Sequence, residues 1–497
     1  MINEGKQEGW LKLPAEALQP WAALNNVKLH DVRVGVDSEH PERGAGVFAQ
    51  RDMESSEDGH TVLMTVPRDL ILSKERVEEH AKVDKDFRAI LDSLESPRIS
   101  ILAFLLSQTY LLHPSPPSPH FVHTPLTTYL RLLPLESLPT FWTTPERSLL
   151  IGSTLLPALT AKLSSLFREY TTFRDALSSS IPWTAADWFG EIDGLVDFND
   201  WLCLDAMYRS RALEFPGIGD CMAPCIDMAN HASGEATNAI YEVDSEGNAV
   251  LVLREGMQVA QGEEVTITYG DEKGACEMLF SYGFLEGGLN GARELFLDLG
   301  TMEDDPLAKA KRVVAGTAPG VKIVEIGEDG VRWEGEWVWL VVVNEEDGLE
   351  FMVQRTTEGE EELKAFWKGG ELSNALELKQ KLEKEEMWDV FRLRAVSLLQ
   401  DRVAGQLQEL YGSDEEVGAV PHGEDTEVRD RIRGLALKLR ELEGQLLEKA
   451  YACFEEEKDR LIASDAVVKY LAAMNLNEGE ETTAPEASTT EEEEDFS

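Results

Sequence analysis

The sequence predicts an α+β fold: a β-rich domain split by a helical insertion, followed by a mostly α-helical domain. Two observations carry this. Residues 27–72 and 217–287 are rich in alternating apolar and β-branched residues, the pattern of short strands. Residues 74–200, between them, place apolar residues at helical spacing. The expected division is a first β-rich part over 1–73, an insertion over 74–200, and a second β-rich part over 201–290. A helical domain over 291–476 and a disordered acidic tail over 477–497 follow.

The elements follow in order. Strands are expected over residues 27–32, 46–49 and 61–67. Ile99, Leu102, Leu105 and Leu106 share one helical face. The proline-rich run 113–119 breaks that pattern, and helices resume near 146–152 and over 155–170. The clearest later strands are 249–253 and 264–269, the second entered through a turn at 261–264. The apolar run 337–343 reads as a strand. Residues 387–410 and 428–461 read as long amphipathic helices joined by a loop over 412–427.

The 497 residues are 43% hydrophobic, enough for two or three domains with sizeable cores. The formal net charge is −47, and the segment from Asn477 onward contributes nine of those negative charges. Such acidity disfavours direct nucleic-acid binding, which needs a basic footprint. It favours a basic protein partner, or serves solubility. The longest apolar stretch, 99–112, is too short and too polar to span a bilayer. Residues 1–6 carry no signal peptide, so a cytoplasmic or nuclear protein is expected, with no membrane partner. The oligomeric state is left open, with a monomer the expectation. Five cysteines (Cys203, Cys221, Cys225, Cys276, Cys453) make no disulfide framework. Cys221 and Cys225 lack a second pair to complete a zinc site, and Asp227 with His231 lacks a third ligand, so no metal is expected.

Four blocks carry the chemistry. Arg43-Gly44-Ala45-Gly46-Val47-Phe48-Ala49 comes first. Asp227-Met228-Ala229-Asn230-His231 follows, then Val265-Thr266-Ile267-Thr268-Tyr269-Gly270, then Tyr282-Gly283-Phe284. Singly, an Asn-His pair or a Tyr-Gly pair is unremarkable, since the latter often only closes a hairpin. In this order and spacing they resemble the SET domain of protein methyltransferases. The Gly44–Ala49 run also matches a dinucleotide fingerprint formally. That motif needs an apolar strand before it and a helix after it, and here polar residues precede and strand-like residues follow.

The split SET domain, the helical insertion, the helical C-terminal region and the lack of cysteine clusters are similar to the Rubisco large-subunit methyltransferase-like class. Residues 141–156 resemble its insertion segment, and Tyr208-Arg209-Ser210-Arg211-Ala212 its element before the Asn-His block. The resemblance implies S-adenosyl-L-methionine as cofactor. It implies that Gly44, Ala45 and Gly46 let the backbone approach the cofactor's methionine part. Asn230 and His231 would meet its amino-acid and adenine parts, Ser210 and Arg211 would lie near it, and Asp227 would hold the bend. Tyr269 would be the catalytic tyrosine. Tyr282, Tyr241 and Phe284 would line the substrate lysine channel, Tyr282 with a catalytic share. The family often carries Asn six residues after the catalytic tyrosine; Ala275 stands there instead. The implied activity is protein-lysine N-methylation of a non-histone substrate, such as a ribosomal protein or elongation factor. An inactive SET-fold binding module and a histidine methyltransferase are the alternatives.

Overall fold

A computed structural model describes residues 1–481 except 37–43, 56–60, 95, 116–120, 136, 192–193, 302–304, 328–329, 356–360, 422 and 424–425. Arg43 and the acidic tail from 482 therefore lie outside the described residues. The chain forms two compact units. The first comprises Met1–Leu150, Leu155–Leu289 and Val420–Leu437. The second comprises Ile151–Thr154, Asn290–Ala419 and the chain from Lys438.

Two sheets in the first unit join the β-rich pieces across the insertion. One runs Lys28–Leu29, Thr61–Val66, Ala249–Leu253, Ala239–Val243, all antiparallel. The other runs Val32–Val36, Ala45–Ala49, Glu264–Ile267, Asn230–His231, with the last pair parallel. Val265 faces Val47 and Thr266 faces Asn230. This register brings the glycine run, the Asn-His block and the tyrosine block to one place. Ala45–Ala49 is a strand, which removes the dinucleotide-binding reading.

The insertion is helical. Its central helix, Pro97–Tyr110, starts at Ser96, whose side chain accepts the Ile99 N–H, with Pro97 in the first turn. It is buried on all sides from Ser100 to Tyr110, not on the single face expected. Helices Lys74–Ala81, Lys85–Leu91, Pro125–Tyr129 and Phe198–Arg211 surround it. Two of its buried hydroxyls bond within the helix, Ser107 Oγ donating to the Phe104 carbonyl and Thr109 Oγ1 to that of Leu105, while buried Gln108 bonds outward to Val122, Thr124 and Thr127. Helix Leu155–Ser180 extends beyond the expected 155–170, because Phe173 and Leu177 continue its buried stripe.

The division of the chain is less linear than expected. Residues 420–437 pack in the first unit, although they follow most of the second. Arg429 explains this: its Nε and Nη2 each donate at 2.8 Å to the buried Glu146 carboxylate, and its backbone N–H adds a third bond at 3.0 Å. Helix Asp430–Ile462 then continues into the second unit.

The second unit is helical from Ala375 onward, with long helices Trp388–Gly412 and Asp465–Glu481. The last of these makes residues 477–481 helical rather than part of a disordered tail. Before Ala375 lie two three-stranded antiparallel sheets that the helical expectation missed. They are Glu294–Asp298, Gly320–Ile326, Gly330–Glu334, and Leu349–Arg355, Glu361–Trp367, Gly370–Leu372. Of residues 337–343, read as a strand, 337–342 belong instead to helix Glu336–Val342, and Val343 follows it in extended backbone. A continuous apolar run buried on every side suits either element, so its periodicity carries no information. The loop over 412–427 contains a short helix, Asp414–Ala419. Among the described residues no helix is long and apolar enough to cross a membrane.

Candidate active site

The chain reverses sharply just before the Asn-His block. Cys225 takes a left-handed backbone at φ 73°, and Ile226–Met228 forms one tight turn. Tyr129, from the insertion, locks that turn. Its hydroxyl donates to Asp227 Oδ1 and accepts the Cys225 N–H at 3.1 Å. Burial, and then the Asp227 charge, push the Tyr129 phenol well above its ordinary pKa, so it stays a donor. Arg211, at the end of helix Phe198–Arg211, donates from Nη1 to the Asp227 carbonyl at 3.0 Å. Asp227 thus holds the bend, with a partner that no local pattern announces.

Asn230 and His231 leave the turn as a short strand beside Glu264–Ile267. The Asn230 Nδ2 donates to Glu264 Oε1 at 2.7 Å. His231 Nδ1 accepts the Tyr269 N–H at 2.9 Å, and Nε2 lies 3.2 Å from Glu286 Oε1. The neutral ring therefore carries its proton on Nε2, facing the carboxylate. Both ring nitrogens face protein groups, so the His231 side chain fixes the backbone of Tyr269.

Tyr269 follows the strand Glu264–Ile267, and its hydroxyl donates to the Ala229 carbonyl at 2.9 Å. Tyr282 ends helix Ala275–Tyr282, and the two tyrosine rings lie 4.6 Å apart. Ala275 is buried at the start of that helix, and Gly274 before it offers no side-chain cap.

Two cavities meet at these tyrosines. The larger, about 780 Å³, is lined by Gly44, Ala45, Asn230, His231 and Phe284 among others. The smaller, about 280 Å³, has Tyr241 and Lys273 in its walls, with exposed Glu214 and Asp220 also lining it. Ser210, Arg211, Asp227, Tyr269 and Tyr282 line both. The Ser210 hydroxyl donates to the Ala206 carbonyl of its own helix. Burial pushes the Tyr241 phenol up, and the neighbouring Tyr282 adds to this.

Two expected placements change. Phe284 lines the larger cavity and not the smaller one, with its ring 6.1 Å from His231. Gly283 turns the chain at φ 78° between Tyr282, which lines both cavities, and Phe284, which lines only the larger of the two. Gly46 lines neither cavity: a Cβ there would lie 2.5 Å from Glu264 Oε1 and 3.0 Å from Asn230 Nδ2. Its missing side chain leaves room for that pair. Gly44 sits at φ 78° with open space where a Cβ would stand, so it is needed for its conformation.

Sequence reasoning missed Tyr129, Glu264, Glu286, Lys273 and Arg431, the last of which also lines the larger cavity. Glu264 and Glu286 sit within five residues of a motif tyrosine, and proximity was the available signal. Tyr129 and Arg431 gave none. Among the described residues no cluster of His, Cys, Asp and Glu is arranged to hold a metal ion.

No protein-family model matches the chain. In sequence it is similar to SET domain-containing protein 8 of Schizosaccharomyces pombe (strain 972 / ATCC 24843). The identity is 28% over 316 residues, 62% of this chain and 67% of that protein. In fold it is similar to the SET domain of LSMT bound to lysine and AdoHcy, with a TM-score of 0.59 and 18% identity, covering 90% of this chain and 92% of the other. Rubisco LSMT bound to sinefungin and monomethyllysine gives the same TM-score, identity and coverage. Rubisco LSMT bound to AdoMet matches with a TM-score of 0.56 and 19% identity over 90% of this chain and 92% of the other.

Proposed function

We propose that this chain, whose fold is the SET fold of Rubisco LSMT, is an S-adenosyl-L-methionine-dependent protein-lysine N-methyltransferase. The observation that carries the reading is the pair of cavities meeting at Tyr269 and Tyr282. Two reactants held in adjoining cavities that share these tyrosines suit a direct transfer from one to the other. The larger cavity has the volume of a nucleotide-sized ligand site. Asn230 offers it an acceptor: Nδ2 is taken by Glu264, and among the described residues Oδ1 has no protein partner. These features fit the cofactor, which would supply an electrophilic methyl group on a sulfonium. Proteins of this fold hold lysine, monomethyllysine and AdoHcy, which supports the assignment of the smaller cavity to an amine acceptor.

The chain's own residues then have defined tasks. A lysine amine has a pKa near 10.4, so reaching the neutral nucleophile at pH 7.4 costs roughly 4 kcal/mol. Half-buried aromatic walls, Tyr241, Tyr269 and Tyr282, withdraw the acceptor from water and lower that pKa. Lys273, whose ammonium stands in the same wall, lowers it further by like-charge repulsion. With its hydrogen on Ala229, the Tyr269 hydroxyl presents its oxygen as an acceptor that orients the amine. Water removes the proton. Alignment of the reacting atoms at about 3 Å supplies the larger gain.

The substrate is a basic, non-histone protein, a ribosomal protein or elongation factor by class, met in the cytoplasm or nucleus by a monomeric enzyme. The net charge of −47 supports a basic partner. The second unit is the docking region for it. The experiment is methyl incorporation from labelled cofactor into a lysate from cells lacking this protein, read by mass spectrometry. Methyllysine that depends on Tyr269 is the expected product. Methylhistidine, or no incorporation by a protein that binds the cofactor, overturns the lysine assignment.

A further inference from the structure

The bond between Asn230 and Glu264 decides what Asn230 can recognise. A carboxylate only accepts hydrogen bonds, so the donor end of the Asn230 amide must face Glu264. The amide is planar, and Oδ1 is therefore turned away from Glu264. Asn230 lines the larger cavity while Glu264 does not, so the polar atom offered to a ligand is an acceptor.

Glu264 is held in place from several sides. Its carbonyl accepts from Asn238 Nδ2 at 2.9 Å, and the Thr266 N–H donates to Asn238 Oδ1 at 2.8 Å. Its strand is paired with Ala45–Ala49 on one side and Asn230–His231 on the other. Gly46 clears the space into which the carboxylate reaches, since a Cβ there would collide with it. A carboxylate half-buried beside a ligand cavity, given room by a glycine and bonded to the Asn230 amide, orients that amide.

We infer that Glu264 is a positioning residue that sets Asn230 to accept a hydrogen bond from the α-ammonium group of the cofactor's amino-acid part. This rests on the cofactor reading given above. Glu264 does not touch the ligand. It fixes the amide orientation and so keeps the Asn230 oxygen turned toward the cavity. Without it the amide is free to rotate and present Nδ2, a donor, to an ammonium that has no acceptor lone pair.

The test is calorimetry on the full-length chain with two ligands: S-adenosylhomocysteine and its analogue lacking the α-amino group. A hydrogen bond to a charged group predicts that Glu264→Ala weakens S-adenosylhomocysteine roughly 10- to 100-fold. Binding of the deaminated analogue should change by less than about threefold, the scale of context effects on a contact that is absent. Glu264→Gln, whose carbonyl oxygen still accepts from Asn230 Nδ2, should bind both ligands nearly as the wild type does. Glu264→Asp keeps the charge but shortens the reach, and should show a partial loss confined to S-adenosylhomocysteine. It serves where the alanine variant fails to fold. Equal losses for both ligands, or none for either, overturn the positioning role. If the wild-type chain binds neither ligand, the cofactor reading fails with it; if it binds both equally, only the ammonium assignment fails.

Discussion

Lys273, four residues after Tyr269, lends its ammonium to Tyr282: Nζ donates to the Tyr282 hydroxyl at 2.8 Å and lies 4.9 Å from that ring's centre. Its stem packs on Gly270, where a Cβ would come within 2.9 Å of the lysine carbons. Burial works against the charge, but the bonds to Tyr282 and Glu277 outweigh it and hold Lys273 above its usual pKa. A permanent cation therefore stands in the wall of the smaller cavity, which Glu214 and Asp220 also line.

Lys273→Met keeps the stem and removes the charge. The acceptor amine then loses a like-charged neighbour, so its pKa rises. The pH profile of kcat/KM should move to higher pH by about one unit. An unmoved profile would mean that Glu277 already neutralises Lys273.

Tyr269→Phe removes one hydroxyl and leaves the ring against Tyr282. Affinity for S-adenosylhomocysteine, measured by calorimetry, should stay near the wild-type value. The catalytic rate should fall by about a hundredfold, with KM little changed, as expected for an interaction used at the transition state. Turnover at the wild-type rate would reduce Tyr269 to a wall residue.

Arg429→Met strands the buried Glu146 carboxylate. Because Arg429 is itself half exposed, the cost should fall near or below the lower end of the range for broken buried pairs, about 2–3 kcal/mol, read as a lowered melting temperature. A chain ending at Leu289 loses the same partner together with residues 420–437 of the first unit, so it should not fold as a free catalytic domain. A stable, cofactor-binding protein ending there would contradict this.

Glu443 sets a pH dependence of stability in the second unit. It is buried, accepts the Thr154 N–H at 2.9 Å, and lies 2.5 Å from Thr154 Oγ1. Burial pushes its carboxyl up to about 7, against a smaller opposing effect of Thr154 and Arg440. Its folded pKa lies above the unfolded value, so its contribution is fully present below about pH 4.5 and is lost as pH rises through about 7. The loss amounts to about 3 kcal/mol. Glu443→Gln mimics the protonated form, so its denaturant midpoint should exceed that of the wild type at pH 8 and match it near pH 5. Equal midpoints at both pH values would refute the linkage.

Substrate affinity should fall steeply with salt. The Debye length shrinks from about 10 Å at 0.1 M to about 3 Å at 1 M, which screens attraction between an acidic enzyme and a basic protein. Cofactor affinity should change little, because its contacts are short and enclosed. A salt titration on the full-length chain measures both. Substrate affinity that is flat across that range would remove the electrostatic docking role.

The α+β class, the split β-rich domain with its helical insertion, and the tyrosine, Asn-His and glycine blocks were legible in the residues alone. These are local patterns: alternation, helical spacing, and motifs whose order along the chain is preserved. Tertiary structure alone decided the rest. It made 337–342 helical, because a run buried on every side has no period to read. It assigned 420–437 to the first unit through Arg429 and Glu146, residues far apart in the chain. It sent Phe284 to the larger cavity through the left-handed turn at Gly283. It supplied Tyr129 to Asp227 and Glu264 to Asn230, with Gly46 leaving room for the second pair. Each of these depends on which atoms meet across sheets and helices. A chain of residue types fixes which groups can donate or accept, but only the packed register fixes which donor meets which acceptor.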